Sequence, residues 1–186
     1  DIAQFSREAG EPLLATAPRA LVWLLLEYNA AWGAKALDDS DLPAAVKTFL
    51  NEQIKNIPHT RFQFIKHDTP GRGITFYVAY ASLNAPLLYR FRLDAYEDLL
   101  ALNVPTLASH SEQTMSEERL FLVCTNGKRD AACAKYGLPL YQAMSQEAGS
   151  SVWQTTHLGG HRFAATMACL PHGVLYGRVP PEQARA

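Results

Sequence analysis

The sequence predicts an α/β protein built from two similar halves. Short apolar segments of strand length alternate with amphipathic segments of helix length. The element order β-α-β-β-β-α of the first half begins again after a polar stretch, and Gly and Pro residues separate the strands as they do at turns. We therefore predict an α/β half over residues 1–103, a linker over 104–117 and a second half over 118–186.

The first half is predicted to contain strands at 20–28, 61–67, 74–81 and 87–93 and helices at 42–57 and 94–103. Ser40 or Asp41 is expected to cap the first helix, and Pro58 to end it. Asp94 and Glu97 have the spacing of a capping box at the start of the second helix.

The second half repeats this pattern only as far as its last strands. Its predicted elements are strands at 120–124, 152–156, 166–170 and 174–178 and a helix at 138–148 that ends at Gly149. A closing helix is expected beyond Ala186, so we expect the chain to be a fragment that lacks part of this half.

Composition excludes several classes of protein. Hydrophobic residues make up 48% of the 186 residues and charged residues 19%, which is typical of a globular protein. The formal net charge of −1 offers no basic excess for a nucleic-acid partner. The longest apolar run, from Ala20 to Leu26, is too short for a membrane span. Three cysteines and no signal peptide predict a reducing, cytoplasmic location.

Four metal-ligand side chains occur close together in the second half. Cys124 and Cys133 are separated by eight residues, and His157 and His161 flank Leu158-Gly159-Gly160. Cys124 ends one predicted strand, and His157 follows the next one directly. Thiolates are soft ligands and imidazoles borderline ones, and four such donors satisfy a tetrahedral zinc or a [2Fe–2S] cluster. We therefore predict that these four residues bind a metal centre.

The spacing narrows the type of centre without deciding it. Eight residues between Cys124 and Cys133 do not fit the CxxC motif of thiol oxidoreductases or of most zinc knuckles. The cysteines and histidines lie in separate segments, whereas a Rieske centre draws its ligands from two mixed pairs. Cys169 lies in a predicted strand and is interpreted as a core residue.

Around these ligands the sequence resembles the sucrase/ferredoxin-like proteins. The similar segments are Val123–Asp130, Cys133–Gly137, His157–Ala164, Leu170–Val179, Ser6–Leu13 and Trp23–Tyr28. The resemblance implies a C-terminal thioredoxin-like ferredoxin domain with a [2Fe–2S] cluster. It assigns Cys124 and Cys133 to one iron and His157 and His161 to the other. Together with the repeated element order, it predicts tandem thioredoxin-like halves.

This resemblance implies an electron carrier rather than an enzyme, acting with a redox partner protein that the sequence does not identify. Two neutral imidazoles in place of thiolates make the cluster easier to reduce. Their free ring nitrogens can hold protons, so electron uptake is expected to be coupled to protonation. Lys128, Arg129 and Arg162 are candidates for favouring the reduced state.

Two other functions are compatible with the same sequence. A structural zinc-binding module would need the same four ligands. A sucrose-cleaving hydrolase would need a pair of carboxylates at the substrate. The acidic residues of the caps and loops do not single out such a pair; they are Asp38, Asp39, Asp41, Asp94, Glu97, Glu117 and Glu118.

Overall fold

A computed structural model describes residues 1–107 and 115–185 and shows a mixed α/β protein with one curled eight-stranded sheet. Its strands are β1 Val22–Glu27, β2 Thr60–Lys66, β3 Ile74–Tyr80, β4 Leu87–Leu93, β5 Leu120–Cys124, β6 Val152–Thr155, β7 Met167–Leu170 and β8 Val174–Tyr176. The α-helices of the described residues are α1 Ile2–Glu8, α2 Ala44–Asn56 and α3 Ala131–Ala148. None of these helices is long and apolar enough to cross a membrane.

The strand order is β4-β3-β1-β2-β6-β5-β7-β8. In the first half β1 pairs parallel with β2 and antiparallel with β3, and in the second half β5 pairs parallel with β6 and antiparallel with β7. The halves meet where β2 and β6 pair antiparallel, at Ile65–Thr155 and Lys66–Gln154. Counted outward from the centre of the sheet, the two halves therefore have the same strand order, β2-β1-β3-β4 and β6-β5-β7-β8.

Side chains of both halves meet in one of the hydrophobic clusters of the core. Alternate residues of β1 point to opposite faces of the sheet, and all six are buried. One face packs with α2, while the other joins a cluster that the two halves share. This shared cluster contains Trp23, Leu25, Ile65, Tyr77, Ala79, Leu88, Leu120, Leu122, Cys124, Cys133, Trp153, Leu158, Ala168 and Leu170. The predicted ligands Cys124 and Cys133 therefore lie where the first half packs against the second.

The start of α3 differs from the sequence prediction. The helix begins at Ala131, seven residues before the predicted start at Leu138. Asp130 caps it, since its Oδ1 accepts a hydrogen bond from the backbone N–H of Ala132 at 2.9 Å. The prediction was wrong because Gly137 and Pro139 are helix breakers by propensity, yet here both lie inside the helix.

The predicted helix caps of the first half were also wrong. α2 begins after Pro43 with no side-chain cap, and Ser40 instead donates its hydroxyl to the carbonyl of Leu37 at 2.8 Å. Asp98, not Glu97, accepts hydrogen bonds from the backbone at the second predicted helix, where the structure has a 3-10 helix over Tyr96–Ala101.

The predicted linker is described only at its two ends. Val104 is buried at the start of a short 3-10 helix, Val104–Thr106. The backbone N–H of Ser116 donates to the carbonyl of Leu88 at 2.7 Å. Residues 108–114 of the predicted linker lie outside the described residues. The division into domains at 103 and 118 stays a prediction.

Candidate metal centre

Cys124 is held at the end of β5, close to α3. Its backbone N–H donates to the carbonyl of Thr166 at 3.0 Å, and its side chain is buried. A β-carbon built on Gly137 of α3 would lie 2.0 Å from the carbonyl oxygen of Cys124, a distance that no real contact allows. The glycine therefore lets α3 pack directly against the backbone of this ligand.

Cys133 is placed by the first turn of α3. The preceding loop is fixed by Asn126, whose Oδ1 accepts from the backbone N–H of Arg129 at 3.3 Å. The Nδ2 of Asn126 donates to the carbonyl of Gly33 at 3.1 Å, so the loop is bound to the first half. These contacts and the Asp130 cap direct the thiol of Cys133 toward Cys124, and both cysteines are 1% exposed.

His157 follows β6 and is held by a residue of the first half. Gln63 on β2 donates its Nε2 to the carbonyl of His157 at 3.3 Å. The hydroxyl of Thr156 donates in turn to Oε1 of Gln63 at 2.5 Å. Gly159 and Gly160 have φ angles of +86° and +61°, which strongly favour glycine. The turn between the two histidines thus depends on both glycines.

The two thiols and the His157 ring meet at one point. Nδ1 of His157 lies 3.4 Å from Sγ of Cys133. The donor atoms of Cys124, Cys133 and His157 all lie within 4.8 Å of one another. Donors around one tetrahedral metal are about 3.3–3.8 Å apart, given the usual metal–ligand bond lengths. Three of the four predicted ligands are therefore arranged as a group that could hold a metal.

His161 lies next to this group but outside it. It begins a 3-10 helix, His161–Phe163, and its ring centroid is 5.5 Å from that of His157. Its side chain is 41% exposed, and its Nε2 lies 3.9 Å from Oδ2 of Asp130. The buried thiols and the exposed imidazole give the site an inner sulfur side and an outer nitrogen side.

The two cysteines have opposite proton affinities. A hydrogen bond from Cys133 is the largest cause that holds the pKa of Cys124 well below its ordinary value, and His157 and the backbone N–H of Leu158 act in the same direction against the effect of burial. The same hydrogen bond, together with burial, raises the pKa of Cys133. Cys124 therefore loses its proton more readily than Cys133, and the thiolate is the form that metals bind.

The basic residues that the sequence suggested are not the ones buried beside the thiols. Lys128 and Arg129 are exposed, and Arg162 pairs with Glu11 at 2.6 Å. Sequence reasoning missed Gln63 and Arg61, which both lie on β2 of the first half. Their alternation along a predicted strand places both on one face, and this is the signal that could have found them.

Two of the acidic residues that a sucrose-cleaving hydrolase could use have structural partners within the protein. Asp39 accepts a hydrogen bond from the backbone N–H of Lys35 at 2.8 Å. Glu118 forms an ion pair with Arg90 and accepts from the hydroxyl of Tyr77 at 2.9 Å. These contacts explain both carboxylates without a substrate.

The comparison with protein families covers the segments that build this site. A sequence model described as sucrase/ferredoxin-like matches residues 13–186, which include all four predicted ligands. The chain belongs to the sucrase/ferredoxin-like family. The family resemblance stated from the motifs is thereby confirmed. Neither the curated proteins nor the solved structures gave a match.

Cys169 lies outside the group formed by Cys124, Cys133 and His157, and its reactivity tests how far burial changes the pKa of a thiol in this protein. Burial raises its pKa to about 11, so only about 0.1% of it is thiolate at pH 8. We expect its alkylation by iodoacetamide in the folded protein to accelerate about tenfold per unit between pH 8 and 10. Peptide mass spectrometry measures the rate, with unfolded protein as the control. A rate that levels off by about pH 9 would contradict the assignment.

Proposed function

We propose that this protein is an electron carrier that binds one [2Fe–2S] cluster through Cys124, Cys133, His157 and His161. The observation that carries the proposal is the convergence of two buried thiols and one imidazole from three separate segments, with donor atoms within 4.8 Å of one another. Family membership supports the ferredoxin assignment, because the four ligands lie in the matched region.

The donor set fits the cluster. Two adjacent thiols suit one iron, and two histidines joined by a short glycine turn suit the other. His161 lies further from the thiols than His157 does, in agreement with a centre that extends over two metals rather than one. When bound, such a cluster supplies one reversible electron. The residues of this chain bind it, exclude water from its sulfur side and leave its histidine side near the surface.

The number of ligands and the exposure of His161 favour electron transfer over catalysis. Four protein ligands leave no open position for a substrate, and an electron carrier needs none. The 41% exposed side chain of His161 would offer a partner protein a short path to the centre. We propose that the redox partner docks over this histidine.

We also propose that both halves are thioredoxin-like. Each half has a parallel strand pair joined by a helix, followed by antiparallel strands added next to the first strand. This order agrees with the domain type that the family resemblance implies. The second half would be the ferredoxin, and the first its metal-free counterpart.

Metal analysis with spectroscopy tests the proposal. Freshly purified protein should contain about two irons per chain, with visible absorption bands and, when reduced, an EPR signal of low average g-value. Iron and zinc are measured on the same sample. Protein that contains zinc and no iron after expression with ample iron would overturn the proposal.

A structural zinc module is the second candidate. The 3.4 Å separation between Cys133 Sγ and His157 Nδ1 lies within the range expected for two donors on one tetrahedral metal. One zinc per chain in a colourless protein would establish this alternative. The same sample therefore decides between the two functions.

Proton coupling provides a further prediction. Nδ1 of His157 faces the thiols, so its Nε2 is the nitrogen that would hold a proton. A reduced, more negative centre holds that proton more tightly, so the midpoint potential should fall as pH rises, by up to about 59 mV per unit for one proton per electron. Potentiometric titration between about pH 6 and about pH 9 measures the slope. His157→Cys should make it shallower, and a flat wild-type profile would contradict the coupling.

A further inference from the structure

Arg61 of the first half extends to the metal ligands of the second. It lies on β2, paired in register with Trp23 of β1. Its guanidinium carbon lies 5.5 Å from the centre of the Trp23 ring, and a β-carbon built on Gly159 would lie 3.4 Å from its Nη2. The guanidinium therefore packs against the turn between His157 and His161, at the contact between the halves.

The charge of Arg61 is not balanced by a carboxylate in the part of the chain that the structure describes. Its Nη1 is buried and has no hydrogen-bond partner in the described structure. The ion pairs formed within residues 1–107 and 115–185 do not include it. Burial lowers the pKa of the guanidinium, and the nearby Cys124 acts in the opposite direction. Taking a guanidinium N–H out of water without a hydrogen-bond partner is costly, so a further negative group at Nη1 would stabilise the half-buried Arg61.

We propose that Arg61 is a positioning residue that donates its free N–H group to the negative charge of the metal–thiolate centre, from the side of the turn between His157 and His161. The inference rests on the proposed cluster and adds a role for the metal-free half. A fixed positive charge stabilises the reduced state, which carries one more negative charge, so Arg61 raises the midpoint potential. It also retains the metal, as hydrogen bonds to ligands do in other centres.

Two substitutions separate charge from packing. Arg61→Met keeps a long apolar side chain over Trp23 and removes the charge. Arg61→Lys keeps the charge and loses the planar fork. Lys128→Met is the matched control, because it removes an exposed charge from the loop between the two cysteine ligands.

The experiment is a redox titration of the iron-loaded proteins, with metal release to a chelator measured in parallel. Arg61→Met should have a lower midpoint potential and release metal about tenfold faster than wild type. Arg61→Lys should recover most of the potential, and Lys128→Met should resemble wild type. Arg61→Gln replaces the Met variant if that variant does not fold, with the same expected outcome.

The outcomes separate this inference from the proposed function. An iron-loaded Arg61→Met protein with wild-type potential and release rate would overturn the role of Arg61 and leave the electron carrier intact. If the wild type holds only zinc, the electron carrier fails, and the release of zinc then tests Arg61. Equal release from wild type and Arg61→Met would overturn the inference in that case too.

Discussion

Replacing Cys133 with alanine is expected to abolish metal binding, leaving less than about a tenth of the wild-type metal content. Its thiol lies 3.4 Å from Nδ1 of His157 and donates to Cys124, so the substitution breaks two of the contacts that hold the ligand group together. Metal analysis and the visible spectrum of the purified variant measure the effect.

Cys169→Ala is the matched control for this substitution. Cys169 lies on β7 and is not part of the ligand group, so this variant should retain wild-type metal content and spectrum. A Cys133→Ala protein with undiminished metal would remove Cys133 from the ligand set. It would also remove the main support for the electron carrier.

Gly137→Ala is expected to destabilise the protein by about 1–3 kcal/mol, although alanine is the better helix former by about 1 kcal/mol. The added methyl group would lie 2.0 Å from the carbonyl oxygen of Cys124, so α3 and β5 would have to move apart. We expect a fall in Tm of about 4–8 °C for a loss of about 2 kcal/mol in a chain of this length. Thermal unfolding of the metal-free protein measures it.

Gly71→Ala makes the same chemical change in open space. A β-carbon at Gly71 meets nothing within 4 Å, and no left-handed backbone conformation is recorded there. Its stability should stay within about 0.5 kcal/mol of wild type. Equal stability of the Gly137→Ala and Gly71→Ala proteins would show that α3 is not held in close contact with Cys124.

The elements that the sequence predicts well are those with a local signal. The apolar run of β1, the periodic face of α2 and the Gly- and Pro-rich turns each lie within a few neighbouring residues, and their observed bounds lie within one or two residues of the prediction. At the start of α3 the local sequence argued against the structure that forms. Gly137 and Pro139 oppose a helix by propensity, but burial against β5 outweighs that cost.

The sequence by itself predicted four candidate metal ligands, and the structure brings three of them, Cys124, Cys133 and His157, together. Cys124 at a strand end, and a histidine pair around two glycines after the next strand, are local patterns whose chemistry is independent of the rest of the chain. The family to which the chain belongs was also predicted from these segments.

Only the tertiary structure decided what surrounds those ligands. Gln63 forms a hydrogen bond with His157 across 94 positions of sequence, and Arg61 reaches the turn at Gly159 from the first half. Such contacts depend on how β2 and β6 pair at the centre of the sheet. Residue spacing encodes the preferences of one segment, whereas the meeting of two distant segments depends on the packing of the whole core.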